Sequence, residues 1–195
     1  MFTDWLRKVF GGLAERIARF FGGLGLSPNA LTIVGCLLTI GVAAIIGSGR
    51  FLLGGLLLIV TEAFDFVDGT LARIQGKKTK YGSFLDSTLD RVSDSAVLTA
   101  LAWWYLRQGN DIAVLLAFVA VFGSMLVSYT RARAEIIQVD CKVGLMTRVE
   151  RSGILIAALV LNLVVPALWI LAVGTVATAI HRMVHVYLQV RDQPL

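Results

Sequence analysis

The sequence predicts an all-α integral membrane protein, a six-transmembrane-helix bundle entered through an N-terminal interfacial amphipathic helix. Three observations carry that expectation. Of 195 residues, 57% are hydrophobic, and the mean hydropathy of +0.79 exceeds what a soluble domain of this size tolerates. Apolar stretches approaching the roughly 20 residues needed to cross a hydrocarbon core recur along the whole chain, which argues against a cleaved signal peptide. Lysines and arginines gather on alternate connections between those stretches.

Residues 1–24 repeat apolar groups at helical spacing (Trp5, Val9, Leu13, Ile17, Phe20), with Arg7, Lys8, Arg16 and Arg19 among them. This is the pattern of a helix lying in the membrane surface, and we assign residues 1–26 to it. Ser27-Pro28-Asn29 then marks a break and a helix start, and residues 30–48 form span one. Span two is expected over 51–72, span three over 83–106 and span four over 111–133. Residues 152–180 are almost uninterrupted, but Pro166 favours a break, giving span five near 150–165 and span six near 167–190. The positive-inside pattern places both termini and the loops carrying Arg73–Lys80 and Arg131–Arg151 in the cytoplasm. The whole chain, 1–195, is then one membrane domain, with no room for a soluble one.

The remaining composition excludes several classes. A formal charge of +5 flanks membrane spans, where it meets anionic lipid and phosphorylated substrates rather than nucleic acid. Cys36 and Cys141 match neither a disulfide framework nor a metal-ligand spacing, and are read as free thiols. Trp103 and Trp104 read as an interfacial belt. His181 and His185 are four apart but lack a matching acid, so they are read as interfacial rather than zinc-binding.

The chemistry concentrates in spans two and three. Asp65, Asp68, Arg73, Asp86, Asp90, Arg91 and Asp94 are residues that lipid excludes, and intramembrane ionisable groups are functional candidates by default. Asp65 and Asp68 are three apart and Asp86 and Asp90 four apart, so each pair shares a helix face, and the faces can meet across a short basic loop. Four converging carboxylates repel one another. One or two divalent cations with oxygen ligands, magnesium or manganese, relieve that repulsion. Gly69, Ala72 and Gly82 leave room beside them for a nucleotide. The alternative, that the acids are interhelical ion pairs with Arg73 and Arg91, leaves acids in excess. Glu62 is read as a buried, hydrogen-bonded acid, and Arg91 and Asp94 as supporting residues.

The run Asp65-x2-Asp68-Gly69-x2-Ala72-Arg73-x8-Gly82-x3-Asp86-x3-Asp90 reproduces the signature of the CDP-alcohol phosphotransferases, and the resemblance covers essentially the whole chain. The resemblance implies six membrane helices with an interfacial N-terminal helix, and a dinuclear magnesium or manganese site bound by Asp65, Asp68, Asp86 and Asp90. It implies a CDP-lipid site at Asp68, Gly69, Ala72, Arg73 and Gly82, with Arg73 near the pyrophosphate. Asp90 doubles as general base in that scheme.

The stretches Ser128–Glu135 and Arg148–Arg151 are similar to the branch of that family whose acceptor is inositol phosphate. That similarity implies acceptor-phosphate binding by Arg131, Arg151 and Arg182, since guanidinium forks grip phosphate oxygens at two points. Departures fall at Thr147 and Val149, where that branch usually has an acid and a proline. The expected reaction transfers the phosphatidyl group of CDP-diacylglycerol, or an ether-lipid analogue, to inositol phosphate with release of CMP, in a homodimeric enzyme of the cell membrane. The glycerol-phosphate branch is the enzymatic alternative, although its usual Gly-Arg-Glu motif after span four is absent. A cation transporter is the alternative of another class. Against it, the acids all lie toward one membrane face and no paired discontinuous helices are evident.

Overall fold

The computed structural model describes residue 12 and residues 15–192, and every described element is helical. The expected interfacial helix falls mostly outside the described residues; its remaining part, residues 15–23, is helical and is labelled α1. Six helices follow: α2 Pro28–Gly47, α3 Phe51–Ile74, α4 Lys80–Arg107, α5 Asp111–Ile136, α6 Arg148–Val160 and α7 Val164–Val190. Each lies where an apolar stretch predicts one. Three of them, α2, α5 and α7, are long and apolar enough to cross a membrane by length and composition.

Local chemistry fixes the helix starts. Ser27 Oγ accepts from the Ala30 N–H at 3.2 Å with Pro28 at the first helical position, so the Ser-Pro-Asn break is an N-cap. Thr79 caps α4 through the Gly82 N–H at 2.9 Å, which starts that helix at Lys80, ahead of the expected 83. Asn110 caps α5 through Ala113 N–H at 3.1 Å. Pro166 does not make the break before the last helix. It lies in the first turn of α7, where its missing N–H has no intrahelical partner to lose, and the turn is made by residues 161–163 with Asn162 at φ 56°.

The helices neighbour one another in a closed ring, in the order α3, α2, α4, α5, α7, α6 and back to α3. Its interior is a cluster built from all six, with Ile46, Leu101, Ala117, Leu159 and Leu168 among its fully buried members. Large apolar side chains such as Leu37, Leu52, Phe118, Phe122 and Val173 point outward and are more than half exposed, and none of them carries a polar group that needs a partner. The α5–α7 pair approaches closely because a Cβ on Gly123 would collide with the Thr175 side chain. At the opposite end from the acids, Gly49 turns the chain at φ 87° under the ring of Trp104, which stacks edge-on to Phe51 at 5.8 Å. Trp103 is exposed.

α1 packs on the C-terminal end of α3, where Ala18 and Phe21 meet Leu31, Val67 and Leu71. The loop after α5 is also held down. Val139 and Cys141 are buried against Ala134, with Val186 and Val190 of α7 alongside, so Cys141 lies inside the fold rather than in an open charged loop. Both cysteines are free. His185 Nε2 lies 3.2 Å from the Asp140 carbonyl and 2.8 Å from Gln189 Nε2.

Candidate functional site

Every predicted site residue lies at one end of the ring, because short connections make successive helices alternate in direction. The start of α2, end of α3, start of α4, end of α5, start of α6 and end of α7 meet there. The charged side chains divide into three groups.

The first is a cleft of about 280 Å³ between α2, α3 and α4. It is lined by Asp68, Gly69, Ala72, Gly82 and Asp86, five of the eight signature positions, with Asn29 and Thr32 from α2 and Lys77 and Lys78 from the basic loop. Thr32 Oγ1 donates to Asp68 at 2.6 Å and fixes a carboxylate that is 5% exposed. A Cβ on Gly69 would meet no atom within 4 Å, so that glycine opens on empty space in the cleft. Gly82 is tighter, with Asn29 Oδ1 at 3.0 Å from the same construction. Arg73 does not face the cleft. It folds back along its own helix to the Gly69 carbonyl at 3.2 Å and Thr70 Oγ1 at 2.9 Å.

The second group surrounds Arg148, which the sequence placed among the cytoplasmic charges and in the Arg148–Arg151 stretch without assigning it to the site. Its guanidinium bonds Asp65 of α3 and, at 2.9 Å, Asp90 of α4, and stands 3.9 Å from Glu62 and 3.9 Å from Asp94. Glu62 also accepts from Ser152 Oγ at 3.0 Å, the hydrogen-bonded acid expected. Arg91 lies 3.6 Å from Asp90. The cations that balance these acids are therefore Arg148 of α6 and, beside Asp90, Arg91 of α4, while Arg73 is turned away. The sequence signal for Arg148 was the Arg148/Arg151 spacing of three, which puts both on one helix face.

The third group is the arginine set. Arg151, 7% exposed, donates to Asp94 at 2.5 Å and to the Met146 carbonyl at 3.1 Å. Arg182, 3% exposed, donates to the Val143 carbonyl at 2.9 Å and to the Val127 carbonyl, tying α7 to α5 and to the loop before α6. Arg131 is exposed and pairs with Glu135 at 3.0 Å. Arg131 near the end of α5, Arg151 at the start of α6 and Arg182 toward the end of α7 thus lie at the same end of the ring.

As these side chains stand, no three His, Cys, Asp or Glu groups among the described residues are gathered closely enough to hold a metal ion. Asp65 and Asp90 are turned onto Arg148 and Asp68 onto Thr32. The donor chemistry suits a hard divalent cation: carboxylate oxygens from two facing helices, beside open space at Gly69.

Known proteins resemble this chain in sequence and in fold. The sequence pattern of the CDP-alcohol phosphatidyltransferases matches residues 25–184. A phosphatidylinositol phosphate synthase of Corynebacterium glutamicum is 36% identical over 91% of this chain and 85% of its own length. An archaetidylinositol phosphate synthase of Pyrococcus horikoshii is 36% identical over 87% of this chain and 88% of its own. The crystal structure of the Mycobacterium tuberculosis phosphatidylinositol phosphate synthase with CDP-DAG bound superposes with a TM-score of 0.85 at 29% identity, covering 89% of this chain and 93% of that one. A second structure of that enzyme, in complex with manganese and citrate, gives the same TM-score at 30% identity, covering 89% of this chain and 88% of that one. With five of the eight signature positions lining one cleft and the family match running from residue 25 to residue 184, through all six ring helices, this transferase belongs to the CDP-alcohol phosphatidyltransferase family.

Proposed function

We propose that this chain makes phosphatidylinositol phosphate from CDP-diacylglycerol, or an ether-lipid analogue, and inositol phosphate. The observation that carries the reading is the presence, at one end of the ring, of both the signature cleft and the arginines Arg131, Arg151 and Arg182, with Arg151 of α6 bonded to Asp94 of α4. The relatives named above, which make inositol-phosphate lipids, support it.

Asp68, Gly69, Ala72, Gly82 and Asp86 form the cleft that receives the CDP moiety, Lys77 and Lys78 add positive charge beside it, and Arg73 turns from the Gly69 carbonyl toward the pyrophosphate when CDP binds. Asp65, Asp68, Asp86 and Asp90 are the ligands for two divalent cations, which when bound neutralise the pyrophosphate and the departing CMP. Arg131, Arg151 and Arg182 hold the phosphate of the acceptor. Asp90 takes the proton from the acceptor hydroxyl. That oxygen then bonds to the lipid-bearing phosphorus, the bond from this phosphorus to the bridging oxygen breaks, and CMP leaves with the electron pair.

All six ring helices cross the membrane, the residue 1–26 segment lies on its cytoplasmic surface, and both termini and the site face the cytoplasm. The functional unit is a homodimer. The deciding experiment incubates purified protein with CDP-diacylglycerol and a panel of alcohols and alcohol phosphates and measures CMP release. Inositol phosphate is expected to be the preferred acceptor. Equal use of unphosphorylated inositol, or preference for glycerol phosphate, overturns the acceptor assignment.

A further inference from the structure

Arg148 reaches four carboxylates on two helices, and it does not reach them equally. Asp65 and Asp90, which it bonds directly, are two of the acids assigned above to metal. Glu62 and Asp94, each 3.9 Å away, stand outside the signature. The Nε of Arg148 is buried and makes no hydrogen bond. The guanidinium thus lies between two pairs of acids, tight on one and loose on the other.

A carboxylate lone pair given to a guanidinium is not available to a divalent ion. A double positive charge placed beside a guanidinium in a half-buried site is strongly repelled. We infer that Arg148 is an exchangeable internal counter-ion: it competes with a divalent cation for Asp65 and Asp90, and moves onto Glu62 and Asp94 when that cation binds. Its planar fork suits the role, because it spans carboxylates on α3 and α4 at once and keeps the two helices at working distance. The inference rests on the metal assignment proposed above.

The test uses the full chain in nanodiscs, titrated with Mn²⁺ and followed by the electron-spin signal of the free ion, with thermal unfolding recorded in excess EDTA. Arg148→Gln is expected to bind Mn²⁺ at least about fivefold tighter, the lower end of coupling between events that share an equilibrium. The same variant is expected to unfold at a lower temperature in EDTA. Glu62→Gln is expected to weaken Mn²⁺ binding by a similar factor, yet to change it less than about twofold when Arg148→Gln is already present. Unchanged or weaker Mn²⁺ binding by Arg148→Gln overturns the competition. An equal effect of Glu62→Gln in both backgrounds shows that Glu62 acts on the ion directly and overturns the exchange. If Arg148→Gln does not fold, Arg148→Lys replaces it in both comparisons: it keeps the charge but loses the fork, and its Mn²⁺ affinity must exceed that of the natural protein. A natural protein that binds no Mn²⁺ removes the metal assignment itself, an outcome distinct from the others.

Discussion

Arg151 of α6 donates a 2.5 Å hydrogen bond to Asp94 of α4, and this contact holds the proposed acceptor side of the site against the carboxylate side. A buried arginine without its acid swings or pulls in water. Asp94→Asn is therefore expected to raise the Michaelis constant for inositol phosphate about tenfold, the equivalent of one charge-assisted contact of about 1.5 kcal/mol. That for CDP-diacylglycerol is expected to stay within about twofold, and equal changes in both would remove the positioning role.

The arginine group separates into members with different duties. Arg131 is exposed, so Arg131→Ala is expected to raise the acceptor constant with little change in melting temperature. Arg182 is 3% exposed and bonds two backbone carbonyls, so Arg182→Ala orphans both and is expected to cost about 2 kcal/mol of stability besides its effect on the acceptor. Parallel melting curves and acceptor titrations of the two variants check this. Equal melting temperatures would contradict the structural share given to Arg182.

Gly69 borders empty space, so Gly69→Val is expected to fold normally and to bind CDP-lipid poorly, with about a tenfold loss or more because the added isopropyl group occupies the cleft. Normal CDP-lipid affinity in a well-folded variant would place the nucleotide elsewhere.

The aspartates are expected to differ by role. Asp68→Asn and Asp86→Asn abolish transfer while the chain still folds, and excess chelator silences the natural enzyme. Asp90→Asn keeps CDP-lipid binding but turns over at least about a hundredfold more slowly, the contribution typical of a general base. Rates measured under saturating substrates, beside CDP-lipid binding, separate these outcomes; full turnover in chelator would sink the metal reading.

The ring helices were legible because hydropathy, caps and the α-helical period agree over long stretches, as at Ser27-Pro28 and Asn110. The signature was legible because Asp65, Asp68, Asp86 and Asp90 are costly in lipid at any position. What stayed hidden depends on contacts distant in sequence. Thr32, an ordinary residue in an apolar helix, becomes the partner of Asp68 only when α2 and α3 pack. Arg148 looked like one more cytoplasmic charge, because the sequence does not say that a side chain at the start of α6 reaches carboxylates on both α3 and α4. Pro166 misplaced the last break by a few residues, since proline is as acceptable in the opening turn of a helix as before it.

The closure of the ring by α3 against α6 has a consequence for how the protein is made. Asp65 and its partner Arg148 are 83 residues apart in sequence. Synthesis proceeds from the N-terminus, so the acids of α3 and α4 are in place before α5, the following loop and their counter-charge have left the ribosome. Until then the growing chain holds a cluster of like charges that favours keeping that end of the bundle in water. Arrival of Arg148 removes this hold, so the event that completes the charge cluster also allows the last two helices to dock.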